Sequence, residues 1–253
     1  MTKTIKILII IIISIYIISG LFIYDKQRRF LYFPKQNTEH KEKDIFINNG
    51  LCDIHTIVIN EGKKDAIIYF GGTAQTLSKI TDYVKRQFPD KSIYLMNYPG
   101  YGLSTCKPTE KSIYKDSKIV YDYVKKNHNK ISVIGKSLGT GVATYLASKR
   151  NIEKLVLITP YYSILSIAKE RFPMYPVDLI LKDKYLSGEN IKYFKTKTLI
   201  VIAEKDKVVK LDNTKKLINE FPKKQLEILM IKNATHTDLY KSKKYFEKIK
   251  EFI

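Results

Sequence analysis

The sequence predicts an α/β protein: a mostly parallel central sheet with helices on both faces, preceded by one apolar helix. Three observations carry this expectation. From residue 66 onward, short β-branched runs alternate with stretches of helical apolar spacing. Those runs are apolar at nearly every position, as strands buried on both faces must be. One of them, ISVIG at 131–135, leads through Gly135-Lys136-Ser137-Leu138-Gly139 into a helical pattern. That is the G-x-S-x-G spacing of a serine set on a sharp strand-to-helix turn.

In chain order, residues 7–24 (ILIIIIISIYIISGLFIY) are 18 positions without a charge. As a helix they span roughly 27 Å at 1.5 Å per residue, close to the ~30 Å hydrocarbon core of a bilayer. Lys3 and Lys6 precede the run and Lys26, Arg28 and Arg29 follow it, so its orientation stays open. A cleaved signal peptide would end near the small pair Ser19-Gly20. Apolar residues continue past that pair through Phe22 and Ile23, and we read an uncleaved anchor. The stretch has no polar face, which argues against a buried soluble helix. Residues 1–35 are therefore expected to form a membrane anchor with its juxtamembrane segment, and 36–253 the folded domain. The aromatic segment 30–34 (FLYFP) either lies at the membrane interface or packs on the domain.

Residues 44–48 and 54–59 predict an antiparallel pair of strands about Asn49-Gly50. Strands follow at 66–70, 92–97, 131–135, 154–158, 197–203 and 226–231. Helical spacing separates them: Leu77, Ile80 and Val84; Ile113, Val120 and Val124; Leu138, Val142 and Leu146. Residues 211–221 and 238–252 complete the helices, while 160–195 breaks the rhythm.

In such sheets, functional residues collect beyond the carboxyl ends of the strands. A serine hydroxyl there is a weak nucleophile until a base takes its proton, and the base needs a third group to orient it. After Ser137 the candidates are few. The strand 197–203 runs into Glu204-Lys205-Asp206; Asp206 is the favoured acid, with Glu204 in reserve. His236, the one histidine downstream of Ser137, follows the last strand. Developing negative charge on a carbonyl oxygen needs two fixed N–H donors. Leu138, just after the serine, supplies one through its backbone. The loop Gly71-Gly72-Thr73-Ala74 is placed to supply the other from Thr73. Lys136 would either favour an anionic substrate or serve as a solvated or structural lysine.

The formal net charge of +20 invites a nucleic-acid reading. Its distribution argues against one, because lysines are spread along the whole chain with no aromatic-interleaved basic motif or finger spacing. A milder consequence is attraction to an anionic membrane surface. The two cysteines, Cys52 and Cys106, form no C-x-x-C motif, and with four histidines there is no Cys/His cluster to suggest a metal. Both cysteines are read as unpaired. Oligomeric state is left open.

Several stretches resemble the α/β-hydrolase superfamily, and within it the amino-terminally membrane-anchored branch of lysophospholipid lipases, protein depalmitoylases and serine aminopeptidase-like hydrolases. The anchor followed by LYFP is similar to that branch's anchor and L-Y-x-P segment. NYPGYGLS resembles D-Y-R-G-Y-G-x-S, and GKSLGTGVA resembles the G-x-S-L-G-T/S-G elbow. Residues 160–185 resemble the family's short cap, and AEKDKVV its acid loop. The family often has H-G-N-A-G-N at the oxyanion loop, where this chain has GGTAQT. The resemblance implies an α/β-hydrolase fold with a short cap at about 160–195 and a serine hydrolase needing no cofactor. Ser137 would be its nucleophile, Asp206 its acid and His236 its base. The expected substrate is an acyl ester or thioester presented at a bilayer, with apolar cap residues (Tyr161, Ile164, Leu165, Phe172, Met174, Tyr175, Leu179, Ile180, Leu181) lining the pocket. A peptidase acting on free amino termini and a non-catalytic tethered scaffold are the competing readings. The lysines at 169, 182 and 184 disfavour the first, and the intact Ser–Asp–His order disfavours the second.

Overall fold

The apolar β-branched runs pair into one sheet. The structure, a computed structural model, describes residues 2–253; Met1, the first residue of the expected anchor segment, lies outside the described residues. Among the described residues the strands are β1 (Lys43–Asn48), β2 (Asp53–Ile59), β3 (Ala66–Phe70), β4 (Ser92–Met96), β5 (Ile131–Lys136), β6 (Leu155–Ile158), β7 (Thr198–Ala203) and β8 (Leu226–Ile231). Their order is β1-β2-β4-β3-β5-β6-β7-β8. β1–β2 and β2–β4 pair antiparallel, and every other neighbouring pair is parallel. The α/β expectation, with an antiparallel edge, is met.

The helices are α1 (Lys3–Leu31), α2 (Thr81–Gln87), α3 (Glu110–Lys125), α4 (Leu138–Lys149), α5 (Ile164–Arg171), α6 (Val177–Ile180), α7 (Ser187–Ile191), α8 (Leu211–Asn219) and α9 (Lys243–Phe252). Alternate strand residues feed two cores. On one face Ile68, Phe70 and Val133 pack with Ile113 and Val120 of α3 and Val142 and Leu146 of α4. On the other, Ile67, Tyr69 and Ile134 pack with Val84 of α2 and Ile249 and Phe252 of α9. A capping box starts α3: Thr109 accepts from the Ser112 N–H, and Ser112 from the Thr109 N–H. The closing helix is shorter than expected. A 3₁₀ turn at Leu239–Lys241 precedes it, and extended backbone at Ser242 separates the two. The segment that breaks the rhythm holds the short helices α5, α6 and α7.

β3 is the point from which the sheet grows both ways, toward β4 on one side and β5 on the other. The crevice beyond such a switch point is where ligands sit in open α/β sheets. The loops leaving β3 and β5 there are Gly71-Gly72-Thr73 and the serine turn.

Cys52 and Cys106 are joined by a disulfide, with Cα atoms 6.0 Å apart, which corrects the reading of both as unpaired. The antiparallel return of β4 against β2 brings them together. The chain beyond β4 folds back along the start of β2: Thr105 N–H donates to Asp53 O (3.1 Å), and Asp53 N–H to Thr105 Oγ1 (2.9 Å). Sequence spacing does not reveal this closure.

α1 is a 29-residue helix with no buried residue, long and apolar enough to cross a membrane, with mean hydropathy 2.8 over its most apolar 18 residues. The segment after it packs on the domain. Tyr32 is buried, with its hydroxyl 2.9 Å from that of Tyr185, while Phe30 and Phe33 stay exposed.

Candidate active site

Steric necessity at the β5–α4 turn explains its glycines. A Cβ on Gly135 would lie 2.4 Å from the Gly139 carbonyl oxygen, and one on Gly139 only 2.1 Å from that of Phe70. Both obstacles are backbone and cannot rotate away. Helix α4 therefore starts hard against the end of β3, which sets Ser137 beside the Gly71–Thr73 loop. Ser137 itself takes φ 51°, ψ −119°, a region that favours glycine. Gly139→Ala is expected to cost about 3 kcal/mol by overpacking, which lowers the thermal midpoint by about 6–12 °C. Calorimetry in detergent checks this, and an unchanged midpoint would contradict the close approach.

Three strand ends deliver the expected residues to one place. His236 Nε2 lies 2.8 Å from Ser137 Oγ, and its Nδ1 lies 2.7 Å from Asp206 Oδ2. With the proton on Nδ1, the ring donates to Asp206 and its free Nε2 accepts from the serine hydroxyl. The other Asp206 oxygen accepts from the Val208 and Val209 N–H groups (2.8 and 2.9 Å), which fixes the carboxylate. Glu204, the reserve acid, is exposed and accepts instead from Asn233 N–H at 2.7 Å. It braces the loop that carries His236.

Leu138 and Thr73 line the same cavity as Ser137. As first residue of α4, Leu138 has no helical carbonyl to donate to. Thr73 is held from several sides. Its carbonyl accepts from Tyr101 Oη (2.7 Å) and Phe33 N–H (3.2 Å), and its hydroxyl donates to Leu31 O. Gln75 steadies the loop as well: its Oε1 accepts from Gly72 N–H and from Tyr69 Oη, both at 3.1 Å. Nothing in the sequence marked Gln75 or Tyr101 for this task.

The cavity has a volume of about 470 Å³ and mostly apolar walls. Of the cap residues expected there, Tyr161, Ile164, Phe172, Tyr175, Ile180 and Leu181 line it, while Leu165, Met174 and Leu179 do not. The sequence reading missed the far wall: Ile23, Gln27, Phe30 and Leu31 of α1. Lys136 is not among the lining residues, and burial pushes its ammonium below the usual lysine range. Among the described residues, no cluster of His, Cys, Asp and Glu has the arrangement of a metal site.

A serine held by a histidine that is itself held by a buried carboxylate can do acyl-transfer chemistry. Comparison with known proteins points the same way. The family model described as "Serine hydrolase (FSH1)" matches residues 70–237, which include Thr73, Ser137, Asp206 and His236. A putative alpha/beta hydrolase of Acanthamoeba polyphaga mimivirus is 26% identical over 226 residues, covering 87% of this chain and 76% of that protein. The alpha/beta hydrolase domain-containing protein aho-3 of Caenorhabditis elegans is 29% identical over 166 residues, covering 64% of this chain and 48% of its own. Among solved structures, an esterase of Pyrococcus furiosus superposes with TM-score 0.69 at 16% identity, over 88% of this chain and 96% of the esterase. A monoacylglycerol lipase of Paleococcus ferrophilus gives 0.61 at 15% identity, over 78% and 95%. At that identity these structures speak for the α/β-hydrolase fold.

Proposed function

This chain belongs to the serine hydrolase (FSH1) family, and from that premise we propose that it is a membrane-anchored enzyme cleaving acyl esters or thioesters through an acyl-enzyme. Residues 1–35 are the anchor and juxtamembrane segment, and 36–253 the hydrolase domain with its cap at about 160–195. The supporting observation is the Ser137–His236–Asp206 relay opening onto an apolar cavity of about 470 Å³.

Ser137 Oγ attacks the carbonyl carbon while His236 Nε2 takes the hydroxyl proton. Asp206 stabilises the imidazolium and keeps the ring in the reactive tautomer. The Leu138 and Thr73 N–H groups stabilise the oxyanion, each such donor being worth about 3 kcal/mol in the transition state. His236 then gives its proton to the leaving alcohol or thiol, and the acyl group stays on Ser137. A water, deprotonated by the same nitrogen, releases the acid and restores the serine. The scheme runs on this chain's own side chains and backbone N–H groups, with water.

An aminopeptidase would need a carboxylate free to bind an amine. The carboxylate lining this cavity, Asp183, is already gripped by Arg28 (2.8 and 3.3 Å) and by Glu110 N–H (3.1 Å). The test is a fluorophosphonate probe followed by peptide mapping, alongside a turnover screen of acyl esters, thioesters and peptide amides. The expected adduct is on Ser137, with ester or thioester turnover. A wild-type protein that takes no label and turns over none of these substrates defeats the reading.

A further inference from the structure

The contacts between α1 and the cap set the depth of the cap. At the carboxyl end of α1, Arg28 grips Asp183, and Gln27 both donates to Ile180 O (3.1 Å) and accepts from Lys182 N–H (2.7 Å). The Lys182 ammonium sits 4.0 Å from the centre of the Tyr24 ring. Further back along the helix, the Ser19 and Tyr175 hydroxyls are 2.7 Å apart. Tyr175 stacks on Tyr16 with ring centres 5.0 Å apart, and Tyr16 Oη donates to Met174 O (2.8 Å). A Cβ on Gly20 would come within 3.2 Å of the Tyr175 ring. Residues 16, 19, 20, 23, 24, 27 and 28 thus form one helical face that the cap follows for more than three turns.

The polar stretch Asp25–Arg29, level with Lys182 and Asp183, marks one edge of the hydrocarbon layer, and Tyr24 sits where interfacial aromatics collect. Counting back at 1.5 Å per residue, Ser19 lies about 8 Å and Tyr16 about 12 Å inside that edge. Half of the hydrocarbon core is only about 15 Å. Within the cap segment 172–181 (FPMYPVDLIL), Met174 and Tyr175 are fastened at those depths, and Ile180 at the edge, by Gln27. Met174 is 67% exposed and Leu179 84% exposed. The one charge in the segment, Asp178, is paired with Lys169 at 2.7 Å.

We infer that residues 172–176 are embedded in one leaflet beside α1, with 177–181 at its surface, and that the cavity takes a single acyl chain sideways from that leaflet. Its walls fit this use, with Ile23, Phe30 and Leu31 of α1 facing Phe172, Tyr175 and Ile180 of the cap. At roughly 30 Å³ per water-sized group, it holds on the order of 15 such groups, the bulk of one long chain and not of two. The entry route rests on the hydrolase reading; the depth of the cap does not.

The chain has no tryptophan, so Met174→Trp, at an exposed position beside Tyr16, gives a single emitter in the full-length protein. In phosphatidylcholine/phosphatidylglycerol vesicles, lipids spin-labelled along the acyl chain quench it and aqueous iodide does not. Tyr193→Trp, at an exposed position shortly before the amino end of β7, shows the reverse. Iodide quenching of Met174→Trp as strong as that of Tyr193→Trp, without lipid quenching, overturns the embedding. The double variant Met174→Asp/Leu179→Asp, neither residue lining the cavity, keeps turnover of a water-soluble short-chain ester. It loses at least about tenfold on a long-chain ester held in vesicles, because carboxylates in the hydrocarbon layer are costly. Wild-type turnover of the vesicle substrate by that variant overturns lateral entry. Lipid quenching in a protein that takes no phosphonate label would leave the embedded cap standing and sink the hydrolase reading alone.

Discussion

Ser137→Ala lowers kcat for acyl-ester hydrolysis by about six orders of magnitude, and His236→Ala does the same, because neither group of an interdependent relay works without the other. In the proposed mechanism the serine hydroxyl depends on the histidine nitrogen 2.8 Å away to take its proton. Asp206→Asn costs about four orders of magnitude, since an amide stabilises the wrong tautomer and leaves the imidazolium unsupported. The double variant Ser137→Ala/His236→Ala is no slower than either single one. Steady-state turnover in detergent micelles measures all four proteins, and losses that multiply in the double variant would show that the two groups act separately. The backbone adds a second signature. Ser137 has φ 51°, and strain of this kind costs about 1–3 kcal/mol. Ser137→Gly is therefore as inactive as Ser137→Ala but melts at a higher temperature.

Removing the disulfide by Cys52→Ser/Cys106→Ser lowers stability by about 4 kcal/mol, the loop-closure value for a crosslink spanning 54 residues. For a chain of this size the thermal midpoint falls by about 8–16 °C. The crosslink ties down the loop that carries Tyr98 and Tyr101. Their hydroxyls hold the Gly71 and Thr73 carbonyls at 2.8 and 2.7 Å, so heat inactivation of esterase activity follows the same shift. Dithiothreitol added to the wild type reproduces the variant, and a midpoint indifferent to reductant would mean the bond does not form. Such a bond persists in an oxidising compartment.

Most of the sheet was legible because its strands are near-continuous β-branched runs, with ends displaced by a residue or so, as where β4 stops at Met96. Ser137, Asp206 and His236 could be gathered from sequence because parallel strands put their carboxyl ends along one edge. Three features were hidden. Pairing of Cys52 with Cys106 depends on an antiparallel return that spacing does not encode. A helix apolar all round gives no sign of which face another element will cover, so the share of α1 in the cavity went unseen. Leu165, Met174 and Leu179 are as apolar as their neighbours, and which face of α5 and α6 lines the cavity is set by how those short helices pack.

The bonds from Leu31 and Phe33 to Thr73 bear on how small an active protein can be made. A truncation at residue 36 would free the domain for work in water. It would also remove both of those partners, the Tyr32–Tyr185 bond and the far wall of the cavity. The shortest chain that keeps the site whole begins inside α1 and carries part of its apolar surface along. Solubility and an intact site therefore pull against each other in this protein, because the apolar helix that a trimmed domain would discard supplies one wall of the cavity.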